Sequence, residues 1–199
     1  MNEHVRPREF EPPIRTLEEL AQRRWTTAEL LALQERGGVV PDLQYELIEG
    51  EIVPMPAEGS IHQDLRSELT DFLYRRRPDD LRIDGEPQLN LTDDTFKKPD
   101  IVVRPASIRM SALRGPDALL VIEIADSSLD YDTTTKAALY AVHGVREYWV
   151  INARTRLTRV HRGPSSSGYG QTIDVSGDEP LVPDLAPELT VRLNDLAET

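Results

Sequence analysis

The chain has 199 residues, 39% hydrophobic and 29% charged, which suits one ordinary soluble domain with some extra length. It has no cysteine, which excludes a disulfide framework, a thiolate zinc site and a thiol nucleophile. A net charge of −12 weighs against a general nucleic-acid binder, but the acidity gathers at the ends: residues 1–50 carry 6 basic and 10 acidic groups, residues 174–199 carry 1 and 7, and residues 51–173 carry 16 and 18.

Residues 1–15 read as irregular, and residues 1–25 as an N-terminal arm with a short helix that Thr16 can cap, because Thr16 and Glu19 have capping-box spacing. Residues 26–199 are then expected to form a single domain that includes an acidic tail. Thr26 to Leu33 predicts a helix packing Leu30, Leu31 and Leu33, closed by Gly37-Gly38. Tyr45 to Val53 (YELIEGEIV) alternates like a hairpin turning at Gly50, with Glu46 on the face of Ile48 and Ile52. A carboxylate on an apolar face is costly unless paired, so Glu46 is a candidate site residue.

Ile61, Leu65, Leu69, Phe72 and Leu73 form a helical stripe ending in Arg75-Arg76-Arg77, where basic groups suit the helix dipole. His62 falls in the first turn, where the dipole disfavours the imidazolium and leaves a neutral ring able to bind or orient. A purely structural histidine is the plainer alternative. Leu81 to Ile83 and Pro87 to Leu91 read as strands, and Asp93-Asp94 turns the chain into a strand from Lys97 to Val103.

Ala118 to Ala125 (ALLVIEIA) is an apolar, β-branched run of strand length, the signature of a central strand covered on both faces. Asp130 or Asp132 can cap a helix over Thr133 to Val142, with Lys136 in its first turn. Glu147 to Asn152 is another strand, and Leu157 to Val175 a C-terminal β-hairpin with a flexible Gly163-to-Gly170 loop. The acidic tail from Asp178 is expected to dock through Leu181, Leu185, Leu189 and Leu193. This order of elements predicts a mixed α/β or α+β domain. No apolar run approaches the roughly 20 residues of a membrane span. Residues 1–13 lack the apolar core of a signal peptide, so the expected location is the cytoplasm.

Glu123 interrupts the most apolar stretch of the chain, and a buried carboxylate must be paired, protonated or metal-bound. Asp100 stands at the mouth of a second β-branched run, at the corresponding position of a neighbouring strand. Mg²⁺ takes oxygen ligands and is commonly held by one or two carboxylates plus substrate phosphate, and Mn²⁺ is its usual substitute. Asp100 and Glu123 are therefore candidate metal ligands, with Glu46 or His62 completing the set. Lys136 is one of only three lysines against 20 arginines, and in a first helical turn it would face the positive end of the dipole at a cost of about 0.3–1 kcal/mol. Each residue has a structural alternative, as a turn acid, a core ion pair and its partner. Together they outline a metal-dependent phosphodiester-cleaving site.

These residues lie in motifs that resemble a known family. YELIEGEIVPMP (Tyr45 to Pro56), His62 on the following helix, PDIVV (Pro99 to Val103), VIEIADSSLDYDTTTK (Val121 to Lys136) and GVREYWVIN (Gly144 to Asn152) are similar, in that order, to the Uma-type restriction-endonuclease family of the PD-(D/E)XK nuclease superfamily. The resemblance spans roughly Trp25 to Arg162. It implies a restriction-endonuclease-like core, a mixed central sheet flanked by helices, and Mg²⁺-dependent hydrolysis of DNA. By position Asp100 matches the first acid of the motif and Glu123 the second. The superfamily's lysine two residues further on is here Ala125, and Lys136 on the next helix matches the displaced lysine. The superfamily's first-helix Glu has no clean match, and Glu46 or His62 stands in for it. A homodimer is expected because cutting a duplex needs two sites or two visits. Ala125 and the acidic charge favour one competitor, a nuclease-fold binding or assembly protein whose catalysis is weak or lost, and the acidic tail favours another, a DNA mimic that competes for a basic surface.

Overall fold

The computed structural model describes residues 14–39 and 42–196, so the expected irregular arm lies almost wholly outside the described residues. Within them the chain forms two compact units. The smaller runs to Met55 and includes Asp93–Thr95, and the larger takes Pro56–Thr92 and Phe96 onward.

In the smaller unit α1 (Leu17–Leu20) and α2 (Thr27–Glu35) each begin with a complete capping box, Thr16 with Glu19 and Thr26 with Glu29. Leu30 is buried but Leu31 is exposed, so α2 packs a narrower face than its leucines predict. β1 (Tyr45–Ile48) and β2 (Glu51–Pro54) pair antiparallel. Their two-residue loop places Glu49 at φ 50° and Gly50 at φ 80°, the left-handed pair that a tight hairpin of type I′ requires. Thr95 Oγ1 accepts the Glu49 N–H at 2.9 Å, and the Asp94 carbonyl accepts the Gly50 N–H at 2.7 Å. Glu46 lies on β1 opposite Val53 and is buried.

The larger unit opens with α3 (Ser60–Arg76), which buries His62, Leu65, Leu69 and Leu73 and leaves Ile61 exposed. The leucines bury as the apolar pattern suggests, but at the start of the stripe His62 takes the place expected for Ile61. The strands follow as β3 (Leu81–Gly85), β4 (Leu89–Asn90), β5 (Phe96–Lys97) and β6 (Ile101–Pro105). The expected continuous strand from Lys97 to Val103 is thus broken at Lys98-Pro99-Asp100. Proline lacks an N–H for the ladder and restricts the residue before it. β5 pairs with β4, whereas β6 joins the main sheet.

That sheet has six strands in the order β10-β9-β8-β7-β6-β3, with β7 (Leu120–Ala125) and β8 (Glu147–Asn152) at its centre. All pairs are antiparallel except β7 with β8. Parallel neighbours need a crossover, and here it is the helical segment α4 (Leu129–Tyr131), a π-helical turn over Asp132–Lys136 and α5 (Ala137–Val142). Helix thus starts at Leu129, not at Thr133, and Lys136 sits in its middle. The dipole penalty expected for a first-turn lysine does not apply. β9 (Thr158–Ser165) and β10 (Gly168–Val175) reduce the expected loop to Ser166-Ser167.

β7 is buried on both faces. Leu120, Ile122 and Ile124 join the cluster of Leu65, Leu69 and Leu73, while Val121 and Ala125 join Ala137, Tyr140 and Tyr148 on the other side. Strand alternation puts Glu123 on the second face, toward the crossover. Leu181, Leu189 and Leu193 of the tail are buried in the α3-side cluster, but Leu185 is exposed and Ala186, Val191 and Leu196 take part instead. Glu147 holds this segment through the Asp184 N–H at 2.7 Å, and it also pairs with Arg162 at 2.7 Å.

Candidate active site

The residue before β6 and the middle of β7 bring two acids to adjoining strands. The last ladder pair is Ile101 with Ile122, and one residue beyond it stand Asp100 and Glu123. Asp100 is fixed from two directions. Its Oδ2 accepts the main-chain N–H of Ile124 at 2.6 Å, and its Oδ1 lies 2.9 Å from Nε2 of His62. That second contact has the distance of an ion pair without the alignment of a hydrogen bond, so the buried Nε2 has no hydrogen-bond partner. Nδ1 of the same ring is 3.6 Å from Oε2 of Glu58, one helical turn earlier. Burial lowers the His62 pKa, but the Asp100 carboxylate, followed by Glu58, outweighs burial and the Arg66 charge and raises it overall.

Glu58, His62 and Asp100 each offer one donor atom, and the three atoms lie within 4.8 Å of one another. Two carboxylate oxygens and an imidazole nitrogen are a donor set that Mg²⁺ tolerates and Mn²⁺ accepts readily. The unbonded Nε2, buried beside a carboxylate, fits such an ion. Arg66, one turn after His62, reaches the same acids: its Nη1 is 2.7 Å from Glu58 Oε1, 3.0 Å from Glu86 Oε1 and 3.4 Å from Asp100 Oδ1.

Glu123 is outside that trio and belongs to a second cluster. Its Oε2 is 3.1 Å from Nζ of Lys136, and its Oε1 accepts the Tyr140 hydroxyl proton at 3.0 Å. Lys136 Nζ is also 3.0 Å from Asp132 Oδ1, again without hydrogen-bond alignment, while Asp132 Oδ2 accepts the hydroxyl of Ser128. Tyr148 donates to the Asp132 carbonyl at 3.1 Å, and burial, then Glu123 and Asp132, push its pKa well above the usual tyrosine value. The π-helical turn falls where Asp132 and Lys136 face Glu123, a common association of that distortion with working residues.

The structure therefore joins Asp100 with His62, and Glu123 with Lys136, through neighbouring positions on β6 and β7. Glu46 belongs to the smaller unit. Sequence reasoning missed Glu58, Arg66, Asp132 and Tyr140. Asp132, Lys136 and Tyr140 recur every four residues, a helical spacing that could have signalled them, whereas Glu58 lies before α3 and carries no such signal. Ala125, where the superfamily pattern has lysine, is fully buried among Val121, Ala137 and Tyr140.

A mixed sheet with one parallel pair at its centre, with two acid–base clusters beside its middle strands, makes an α+β architecture. The family model described as "Uma2: Putative restriction endonuclease" matches residues 27–194, and the chain belongs to this family. Among solved structures it is similar to one titled a putative nuclease belonging to DUF820 from Anabaena variabilis, at 22% identity and a TM-score of 0.65, covering 86% of this chain and 97% of that one. That likeness supports the fold. No curated protein matches.

Proposed function

We propose that the protein is a divalent-metal-dependent endonuclease that hydrolyses phosphodiester bonds in DNA. The observation that carries this reading is the placement of Asp100. It is locked to the main chain of Ile124 and faces an unbonded imidazole nitrogen, beside a glutamate that is itself paired with a lysine. Asp100, His62 and Glu58 would hold the ion, and Glu123, outside that trio and paired with Lys136, is proposed as the second carboxylate across the ladder. When bound, a divalent cation neutralises phosphate charge and lowers the pKa of water.

Lys136 pairs with Glu123, and its ammonium would stabilise charge that develops on the phosphoryl group. Tyr140 fixes the rotamer of Glu123 from the other oxygen. The proposed assembly is a homodimer, one site for each strand.

A nuclease-fold binding module is the second reading. Its specific support is Ala125, which removes the lysine from the strand. The deciding experiment incubates supercoiled and branched DNA with Mg²⁺ or Mn²⁺ and compares the wild type with Asp100→Asn and Glu123→Gln. Metal-dependent cutting lost in both variants, with circular dichroism unchanged, is the expected result. Equal cutting by wild type and variants sinks the assignment, and Mn²⁺ binding without cutting of any nucleic acid moves it to the binding module.

A further inference from the structure

One nitrogen of Arg66 faces three carboxylates from three parts of the larger unit. Glu58 precedes α3, Glu86 follows β3 and Asp100 precedes β6. A single positive point surrounded by acid oxygens is the arrangement a metal ion adopts, here made by a side chain. Two of the three acids, Glu58 and Asp100, also belong to the trio with His62. Glu86 does not, and its surroundings differ. It is about half exposed, its left-handed backbone (φ 48°) turns it away from β3, and its N–H donates to the Asp100 carbonyl at 2.9 Å. Beyond it opens a groove of about 520 Å³ along the outer face of α3, lined by Gln63, Ser67, Thr70 and Tyr74 as well as Arg66 and Glu86.

On the reading of this site as a metal centre, we infer that Arg66 is a resident counter-ion that a divalent cation must displace. Without metal, the guanidinium neutralises Glu58 and Asp100, which would otherwise repel each other across a half-dry cluster. A divalent ion and a guanidinium cannot share the same oxygens at these distances without strong like-charge repulsion. Glu86 and the groove give the displaced side chain a place to go, where it stays anchored by one acid and its free edge is open to a phosphate. Arginine suits this exchange because it remains charged and its fork can pair bidentately with phosphate. The ion and Arg66 are thus competing ligands of the same carboxylates, and the affinity for metal carries the cost of moving the arginine.

Mn²⁺ binding measured by calorimetry on the full chain without nucleic acid tests this directly, comparing wild type, Arg66→Met, Arg66→Lys and Asp100→Asn. Arg66→Met is expected to tighten Mn²⁺ binding by about 5- to 150-fold, the usual span of a coupling between two ligands. Arg66→Lys, which keeps the charge, should stay near the wild-type affinity. Thermal unfolding in chelator should fall for Arg66→Met and recover with Mn²⁺ more than the wild type gains. Unchanged or weaker Mn²⁺ binding by Arg66→Met, while Asp100→Asn abolishes it, leaves the metal centre standing and overturns the role of Arg66. Absence of Mn²⁺ binding in every protein overturns the metal centre and this inference with it.

Discussion

Asp100 shows how one side chain can serve both structure and site. Its Oδ2 takes the Ile124 N–H that would otherwise sit unbonded at the strand end, and an ionised acceptor makes a stronger bond than a neutral one. Asp100→Asn keeps the shape and removes the charge. Tyr140 is the matching support for Glu123. Tyr140→Phe removes a hydroxyl donor from a buried carboxylate, and should cost about 1–3 kcal/mol in denaturant unfolding. If cleavage is present, the turnover number should fall more than the substrate affinity, since the Tyr140 hydroxyl orients Glu123. Glu147 is a stricter structural case. It is buried and accepts from Arg162, the Trp149 indole and the Asp184 main chain. Glu147→Ala leaves Arg162 only Asp184 and the Val182 carbonyl and takes the acceptor from the Trp149 indole and the Asp184 N–H, so a loss of about 3–5 kcal/mol is expected.

At the scale of elements, β7 was legible because a strand covered on both faces must be apolar throughout, which leaves Glu123 conspicuous. Asp100, His62 and Lys136 could be singled out by comparable arguments from apolar context or rarity. Glu58, Arg66 and Glu86 could not, because charged residues near helix and strand ends usually read as solvated. Nothing local says that three distant carboxylates meet on one guanidinium. The start of the crossover was also hidden. Ser128 caps no N–H with its side chain, and the π-helical turn shifts the periodicity on which a helix is recognised. The β1–β2 hairpin carries its own test. Glu49 adopts a left-handed backbone that asparagine reaches at lower cost, and its side chain is exposed. Glu49→Asn should therefore stabilise the protein by about 0.5–1 kcal/mol in chemical denaturation.

For the whole molecule, two buried histidines tie stability to pH with opposite signs. The pKa of His62 is raised by Asp100 and Glu58 against burial and Arg66, so its proton stabilises the metal-free fold fully below the unfolded value of about 6.5. That contribution fades as the pH rises through the higher folded value. His161, packed between Tyr148 and Tyr169, is pushed down to about 4 by burial and the Arg159 charge. The unfolded chain takes that proton first. Stability from neutral His161 is complete above about 6.5 and is lost as the pH falls toward 4, by about 3 kcal/mol at most. Unfolding in chelator across pH 7 to 4.5 should be flatter for His161→Phe than for the wild type. An equal slope would show that His161 does not titrate as its surroundings require.

The buried leucines of the acidic tail have a consequence for how the protein is made. Leu181, Leu189 and Leu193 cover the side of the core against which α3 lies, yet they are synthesised more than a hundred residues after His62 and Arg66. Until they emerge from the ribosome, the helix that holds these two side chains lacks part of its seat. A nascent chain therefore carries every residue of the cluster before the helix beneath two of them has its full seat.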